Sequence, residues 1–257
     1  MKNALLIDLG GTNVRHAFFI NNALSKISKE KISDKEFIPF ITKLLNGAES
    51  NIEYLVVAAA GPNNQDFINL TNRNLLINSS ELEAALNLKK CLLLNDWEAV
   101  AFSLSEMEKK SFLSIKDNVP SNKNTLLIGP GTGLGVTLII DDQIIPTEFG
   151  NVLSTTKSMM ESFGIERSEK FLSLENILSG PGIEMLYEEK FGKKLSSEKI
   201  ITLALERNED ALFIVNNFLK TLITIIDDLV LSFTCNRVIL GGLSLIHISE
   251  PTRLQQI

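Results

Sequence analysis

Apolar residues in this chain fall into short unbroken runs separated by glycine or polar breaks, a pattern that reads as buried strands. ALLIDL (4–9) is followed by Gly10-Gly11 and then by VRHAFFI (14–20), which predicts a strand, a tight glycine turn and a returning strand. Residues 23–32 alternate Ser and Lys with apolar positions and predict a third strand. Phe37, Ile38, Ile41, Leu44 and Leu45 recur at helical spacing. YLVVAAAGP (54–62) predicts a short buried strand stopped by Gly61-Pro62, and 82–88 a short helix. CLLLND (91–96) predicts another buried strand ending on two polar residues, with a helix over 98–109.

The polar, proline-containing stretch KDNVPSNKN (116–124) is the best linker candidate. Beyond it the opening pattern restarts: TLLIGPGTGLG (125–135), VTLIID (136–141) and QIIPTE (143–148) again give strand, glycine turn and strand. Two related α/β domains are therefore expected, a small one over 1–110 and a larger one over 111–242. The remainder is mostly helical. Ala211, Val215, Phe218/Leu219, Leu222, Ile225/Ile226, Leu229/Val230 and Phe233 keep a 3.6-residue period and predict one long core-facing helix. RVILGG (237–242) closes the pattern with one more buried strand and a glycine turn.

Composition narrows the function classes. At 257 residues, with 44% hydrophobic and 22% charged positions, the chain is an ordinary globular protein and not a disordered one. A net charge of −6 and the lack of any dense Lys/Arg cluster argue against nucleic acid as a partner. The most apolar segment, 211–234, contains Asn216, Asn217, Lys220, Asp227 and Asp228, too costly a set for a membrane span. The N-terminal apolar run is broken by Asp8 and is too short for a signal peptide, so a cytoplasmic location without a membrane partner is expected. Cys91 and Cys235 read as buried free thiols of a reducing compartment. With only two histidines, His16 and His247, proton transfer near neutral pH falls to a carboxylate.

Three places could carry chemistry. In Asp8-Leu9-Gly10-Gly11-Thr12-Asn13 the glycines let backbone N–H groups face an anion, Asp8 can hold a hydrated Mg²⁺, and Thr12 can donate to a phosphate oxygen. Taken alone, the same residues fit an ordinary hairpin turn. Gly129-Pro130-Gly131-Thr132-Gly133-Leu134-Gly135 is a second glycine loop, neither Walker A nor the dinucleotide register, and phosphate binding explains its alternating glycines better than a structural turn does. Asp96, after the strand ending at Asn95, is placed to act as a general base or, equally, as the N-cap of the helix that follows.

Together LLIDLGGTNVR, LLLNDWEAVA, IGPGTGLGV, PTEFGN and SLENILSGPGIEMLY closely resemble the bacterial ATP-dependent glucokinases of the hexokinase superfamily, in the correct order from about Leu5 to Gly242. The resemblance implies a two-domain actin-like ATPase (ribonuclease H-like) fold, with the second domain incomplete. It implies a kinase that transfers phosphate from MgATP to the 6-hydroxyl of glucose, with ATP and Mg²⁺ bound and a homodimer at full length. Asp8, Gly10, Gly11, Thr12 and Asn13 then resemble the first phosphate loop, with Mg²⁺ on Asp8 through water, and Gly131, Thr132 and Gly133 the second. Asp96 resembles the general base, with Asn95, Glu148 and Glu175 binding sugar hydroxyls, and Gly180-Pro181-Gly182 the helix-opening turn behind the sugar. One position departs: Asn151 stands where the family usually has a histidine sugar ligand. An amide can still donate and accept. A kinase for another hexose, and a non-catalytic sugar or nucleotide sensor on the same fold, are the alternatives; the presence of Asp96 weighs against the sensor. The related sugar kinases of the repressor/open-reading-frame/kinase group usually carry a cysteine-rich zinc motif, and two cysteines cannot form one.

After Gly242 the sequence changes character. LSLIHISEPTR (243–253) resembles the translation of a transposase adapter used in sequencing libraries, so 243–257 is expected to be a non-native tail. On that expectation the chain is truncated within its second domain, lacks part of the adenine site, and is itself inactive and poorly soluble.

Overall fold

The computed structural model describes residues 3–10, 13–64, 66–70, 75–108, 111–115, 123–153, 156–166 and 168–241. Gly11, Thr12, most of the expected linker and the expected tail therefore lie outside the described residues. The chain divides into two compact units, Met1–Met107 and Glu108–Ile257.

The first unit is built on one sheet. β1 (Ala4–Leu9) pairs antiparallel with β2 (Val14–Ile20) and parallel with β5 (Tyr54–Ala59), which pairs parallel with β8 (Lys90–Asn95). The order is β3-β2-β1-β5-β8, with β3 (Ala23–Leu24) and β4 (Ser28–Glu30) both on β2. The expected single strand over 23–32 is thus two short ones. Between them the Ser25 hydroxyl accepts from Phe18 N–H at 2.9 Å, so a side chain takes the place of a regular ladder bond and interrupts the strand. Asn21 and Asn22, at φ 52° and 62°, form the two-residue left-handed turn from β2 to β3. α1 (Phe37–Asn46) buries Phe37 and Ile41 of the expected stripe together with Phe40; Leu44 and Leu45 are partly buried and Ile38 is exposed. A hairpin that the pattern did not signal, β6 (Phe67–Asn69) with β7 (Leu76–Asn78), precedes α2 (Ser79–Leu86). α3 (Asp96–Ser103) begins directly after β8, two residues before the expected start, and is shorter than expected. Leu5, Leu9, Ile41, Leu55 and Ile68 centre this unit's core. Cys91 lies in it as a free thiol, which burial, with Glu83 adding, pushes up to about 12.

The second unit repeats the scheme. β9 (Thr125–Pro130), β10 (Leu134–Ile140), β11 (Gln143–Pro146) and β12 (Arg237–Leu240) run in the order β11-β10-β9-β12. β10 is antiparallel to β9, β11 is antiparallel to β10, and β12 is parallel to β9. These are the order and senses of β3-β2-β1-β5. Even the turn recurs: Asp141 and Asp142, at φ 49° and 66°, connect β10 to β11 as Asn21 and Asn22 connect β2 to β3. β9 is buried along its whole length, as a central strand covered on both faces must be. Four helices follow: α4 (Thr156–Phe163), α5 (Gly180–Phe191), α6 (Ser197–Leu205) and α7 (Glu209–Ser232). α7 is capped by Asn208, whose side chain accepts from Ala211 N–H, and it buries Ala211, Val215, Phe218, Leu222, Ile225 and Leu229 of the expected stripe, with Ile214 and Thr221 beside them. Phe233, the last position of the expected stripe, is 39% exposed beyond the helix end. Among the described residues no helix is long and apolar enough to cross a membrane.

Position along α7 sets the cost of truncation. Phe218 is fully buried in the second unit's core, whereas Ile223 is 56% exposed. Phe218→Ala is expected to lower unfolding free energy by about 3–5 kcal/mol. Ile223→Ser should change it by no more than about 0.5 kcal/mol. Urea denaturation of both variants checks this, and equal losses would refute the packing assigned to α7.

Candidate functional site

In the first unit, register decides which carboxylates meet. Asp8 pairs with Ala58 on β5, and the next residue, Ala59, pairs with Asn95 on β8. Asp8 and Asp96 therefore share the carboxyl edge of the parallel strands, two strand spacings or about 10 Å apart. That edge is where open α/β sheets place ligands.

The β8–α3 junction is a capping box. Asn95 Oδ1 accepts from Trp97 N–H at 2.9 Å and Glu98 N–H at 3.4 Å, and the Glu98 carboxylate accepts from Asn95 N–H at 3.0 Å. Asn95, and not Asp96, is the N-cap, which removes the structural alternative for Asp96. Asn95 is only 5% exposed and also donates through Nδ2 to Gly61 O at 3.2 Å. Gly61 must be glycine: at φ 149° its Cβ would lie 2.2 Å from Asn69 O. Asn63 Nδ2 donates to Leu93 O at 2.9 Å and lies 3.4 Å from Glu98 Oε2, bracing the same junction.

Asp96, the first residue of α3, is half-buried, and its Oδ1 accepts from Trp97 N–H at 2.9 Å. Burial raises its carboxyl above the ordinary range; the Trp97 N–H opposes this, and the negative charge of Asp8 adds to it. Asp8 itself holds Arg15, its register partner on β2, at 2.6 Å, with both side chains about half exposed. Arg15 closes the stretch LLIDLGGTNVR, and nothing in that pattern alone marks it as the partner of Asp8. The glycine turn beside Asp8 is closed by Gly10 N–H donating to Asn13 O at 3.0 Å.

The second unit assembles the other candidates. Gly131, Thr132 and Gly133 form the hairpin loop between β9 and β10, closed by Gly131 N–H donating to Gly133 O at 2.8 Å. Gly131 O accepts from Gly180 N–H, the first residue of α5, at 2.8 Å. The N–H groups of Thr132 and Gly133 and the exposed Thr132 hydroxyl are then the loop's donors for an anion. A Cβ on Gly131 would meet nothing within 4 Å, and its φ is not positive, so neither packing nor backbone demands glycine there. Close approach of a ligand to the main chain is the remaining use for it.

Main-chain contacts gather the three sugar candidates around this loop. A Cβ on Gly150 would lie 2.4 Å from Leu134 O, so the 3-10 turn Phe149–Asn151 sits directly against the start of β10. Asn151 Nδ2 donates to Glu148 Oε2 at 3.0 Å. Leu174 N–H donates to Val152 O at 3.0 Å, joining that turn to the 3-10 turn Leu174–Asn176, which carries Glu175. A Cβ on Gly133 would stand 2.7 Å from Glu175 Oε2, a contact that no sequence pattern signals. Behind them Ser179 caps α5, and a Cβ on Gly182 would stand 2.5 Å from Ile177 O, the close packing expected of Gly180-Pro181-Gly182.

Among the described residues no group of three or more His, Cys, Asp or Glu side chains could hold a metal ion. A lone, half-exposed Asp8 fits only a hydrated cation that takes its other ligands from water and phosphate, which is how magnesium is usually held.

The glucokinase family model matches residues 5–249. That match runs past Gly242, where the tail was expected to begin. The glucokinase of Helicobacter pylori strain J99 is 28% identical over 215 residues, covering 78% of this chain and 64% of its own length. The chain spans about three fifths of the length of the curated relatives it matches. Among solved structures, a glucokinase from an Antarctic psychrotroph superposes with a TM-score of 0.77 at 24% identity, over 96% of this chain and 85% of that one. A ROK family glucokinase from Streptomyces griseus, in complex with glucose and AMPPNP, gives 0.62 at 16% identity, over 95% of this chain and 84% of that one. These likenesses establish the actin-like ATPase fold.

The raised carboxyl of Asp96 has a stability consequence. The folded protein binds this proton more tightly than the unfolded chain, so the associated stabilisation is present at low pH and lost as pH rises through the folded value. Above the unfolded value the raised proton affinity costs stability. Asp96→Asn keeps an oxygen for Trp97 N–H and is expected to raise Tm at pH 7, with the gain vanishing where Asp96 is protonated in both states. Thermal melts across that pH range test it; a gain independent of pH would assign it to something other than charge.

Proposed function

The chain belongs to the glucokinase family, and from that premise we propose that it phosphorylates the 6-hydroxyl of glucose with MgATP, giving glucose 6-phosphate and ADP. The observation that carries the reading is Asp96: a half-buried carboxylate with a raised proton affinity, set by a braced helix cap at the carboxyl edge of the sheet. Asp96 takes the 6-hydroxyl proton as that oxygen attacks the γ-phosphorus. A carboxylate whose proton affinity is raised is a stronger base.

The other residues bind and orient. Thr132 and Gly133 N–H groups, the Thr132 hydroxyl and the first glycine turn hold phosphate oxygens, where charge stabilisation contributes most of the rate in this class of reaction. Magnesium, when bound near Asp8, neutralises charge on the phosphates. Asn95, Glu148, Asn151 and Glu175 bind the remaining sugar hydroxyls. A cytoplasmic location and a homodimer at full length belong to the same proposal. A kinase for another hexose is the second reading, favoured by Asn151, whose amide is already engaged with Glu148.

Two substitutions test these roles in protein expressed from the full coding region. Asp96→Asn should keep glucose affinity within about twofold and lose roughly 10²–10⁴-fold in kcat. A variant within about threefold of wild type would take the base role from Asp96. Asn151→His should lower KM for glucose, since an imidazole reaches further than the amide. If KM is unchanged or higher, a panel of hexoses becomes the measurement, and a better substrate than glucose among them would establish the second reading.

A further inference from the structure

Asn63 belongs to none of the motifs read in the sequence, yet it reaches the junction that carries Asp96. Its main chain is held from one side: an isolated bridge pairs it with Ile68 of β6, and Asn64 N–H donates to Phe67 O at 3.0 Å. Its side chain works on the other side. Nδ2 donates to Leu93 O at 2.9 Å, on the outermost strand of the sheet, and lies 3.4 Å from Glu98 Oε2. That same oxygen accepts from Asn95 N–H at 3.0 Å. One carboxylate oxygen thus joins the hairpin β6–β7, through Asn63, to the residue that precedes Asp96.

A second observation separates this arrangement from ordinary packing. Asn63 Oδ1 is buried and has no hydrogen-bond partner among the described residues. An amide that uses its donor and leaves its acceptor bare is a poor choice for stability alone. A residue kept in that state fits a demand made by the site.

We propose that Asn63, acting through Glu98, is a positioning residue for Asp96: it fixes the first turn of α3, and with it the carboxylate, against the outer strand. This rests on the kinase reading and adds to it a residue that need touch no substrate. Asp96 is the first residue of α3, so a tilt of that turn moves its carboxylate directly. A misplacement of about 1 Å can slow a reaction on the order of 100-fold. Losing one of the two donors on Glu98 Oε2 loosens the turn only in part, and roughly tenfold in kcat is the loss expected.

The test is a double-mutant cycle in protein expressed from the full coding region. Asn63→Ala is made alone and with Asp96→Asn; kcat is read from glucose-dependent ADP formation and glucose Kd from calorimetry. Alone, it should lower kcat roughly tenfold and leave Kd within about threefold. On top of Asp96→Asn it should lower kcat by less than about twofold more, because the base it positions has gone. Equal losses in the two backgrounds would mark a residue that serves only the fold, and overturn the proposal while the kinase reading stands. Weaker glucose binding with kcat unchanged would overturn it too. Glu98→Gln keeps an oxygen for both donors and should stay within about twofold of wild type, whereas Glu98→Ala should match Asn63→Ala. If Glu98→Gln is as slow as Glu98→Ala, charge and not positioning is responsible. Asn63→Leu, near in volume and without a donor, carries the same expectations where Asn63→Ala does not fold. Asp96→Asn alone, if it stays within about threefold of wild type, takes away the base and overturns both readings together.

Discussion

In the second unit, main chain touches main chain at distances that exclude side chains. Gly150 stands on Leu134 O and Gly182 on Ile177 O, each closer than a Cβ permits. The loop Gly131–Gly133 is tied to the start of α5 by the Gly180–Gly131 bond, and the Glu148–Asn151 turn is tied through Val152 to the turn carrying Glu175. The placement of every sugar and phosphate candidate in this unit follows from these backbone contacts. Side-chain packing tolerates small repacking, whereas a backbone contact with no room for a Cβ does not. The glycines are therefore structural requirements before they are chemical ones, and Gly131, with open space around it, is the exception that points to a ligand.

The first unit works under an opposite constraint. The proposed base role depends on keeping Asp96 partly dry and near Asp8, both of which disfavour its charge. The capping box at Asn95 and Glu98, with Asn63 and Gly61 behind it, is what holds so unfavourable a group in place. Arg15 pairs with Asp8, whereas among the described residues Asp96 enters no ion pair. Catalytic capacity and stability pull against each other at this junction, as they commonly do at strained or desolvated sites.

Much of this was legible in the sequence, because the strands are short apolar runs and the long helix keeps one period. The duplicated opening was readable too, and strand order and senses agree with it. Other features escaped for physical reasons. The strand over 23–32 splits because a serine hydroxyl replaces a ladder bond, a local competition that alternation cannot reveal. Asn95 and Asp96 are adjacent polar residues after a strand, and sequence alone could not say which one caps the helix. Glu175 was reached by resemblance, but its contact with Gly133 joins positions far apart in the chain. Gly11 and Thr12 lie outside the described residues, so their part in the first loop rests on the motif.

The pairing of β12 with β9 has a consequence for synthesis. β9 can form its hairpin with β10 as soon as both have left the ribosome, but its other edge waits for β12, after four helices have been made. Leu126 and Ile128, fully buried in the finished protein, belong throughout that interval to a strand with an open hydrogen-bonding edge. Long-range parallel pairing of this kind is slow to form and exposed to aggregation. The first unit, whose sheet is complete by Asn95, can fold while the second is still emerging, so the vulnerable period of this protein's life is the translation of residues between β10 and β12.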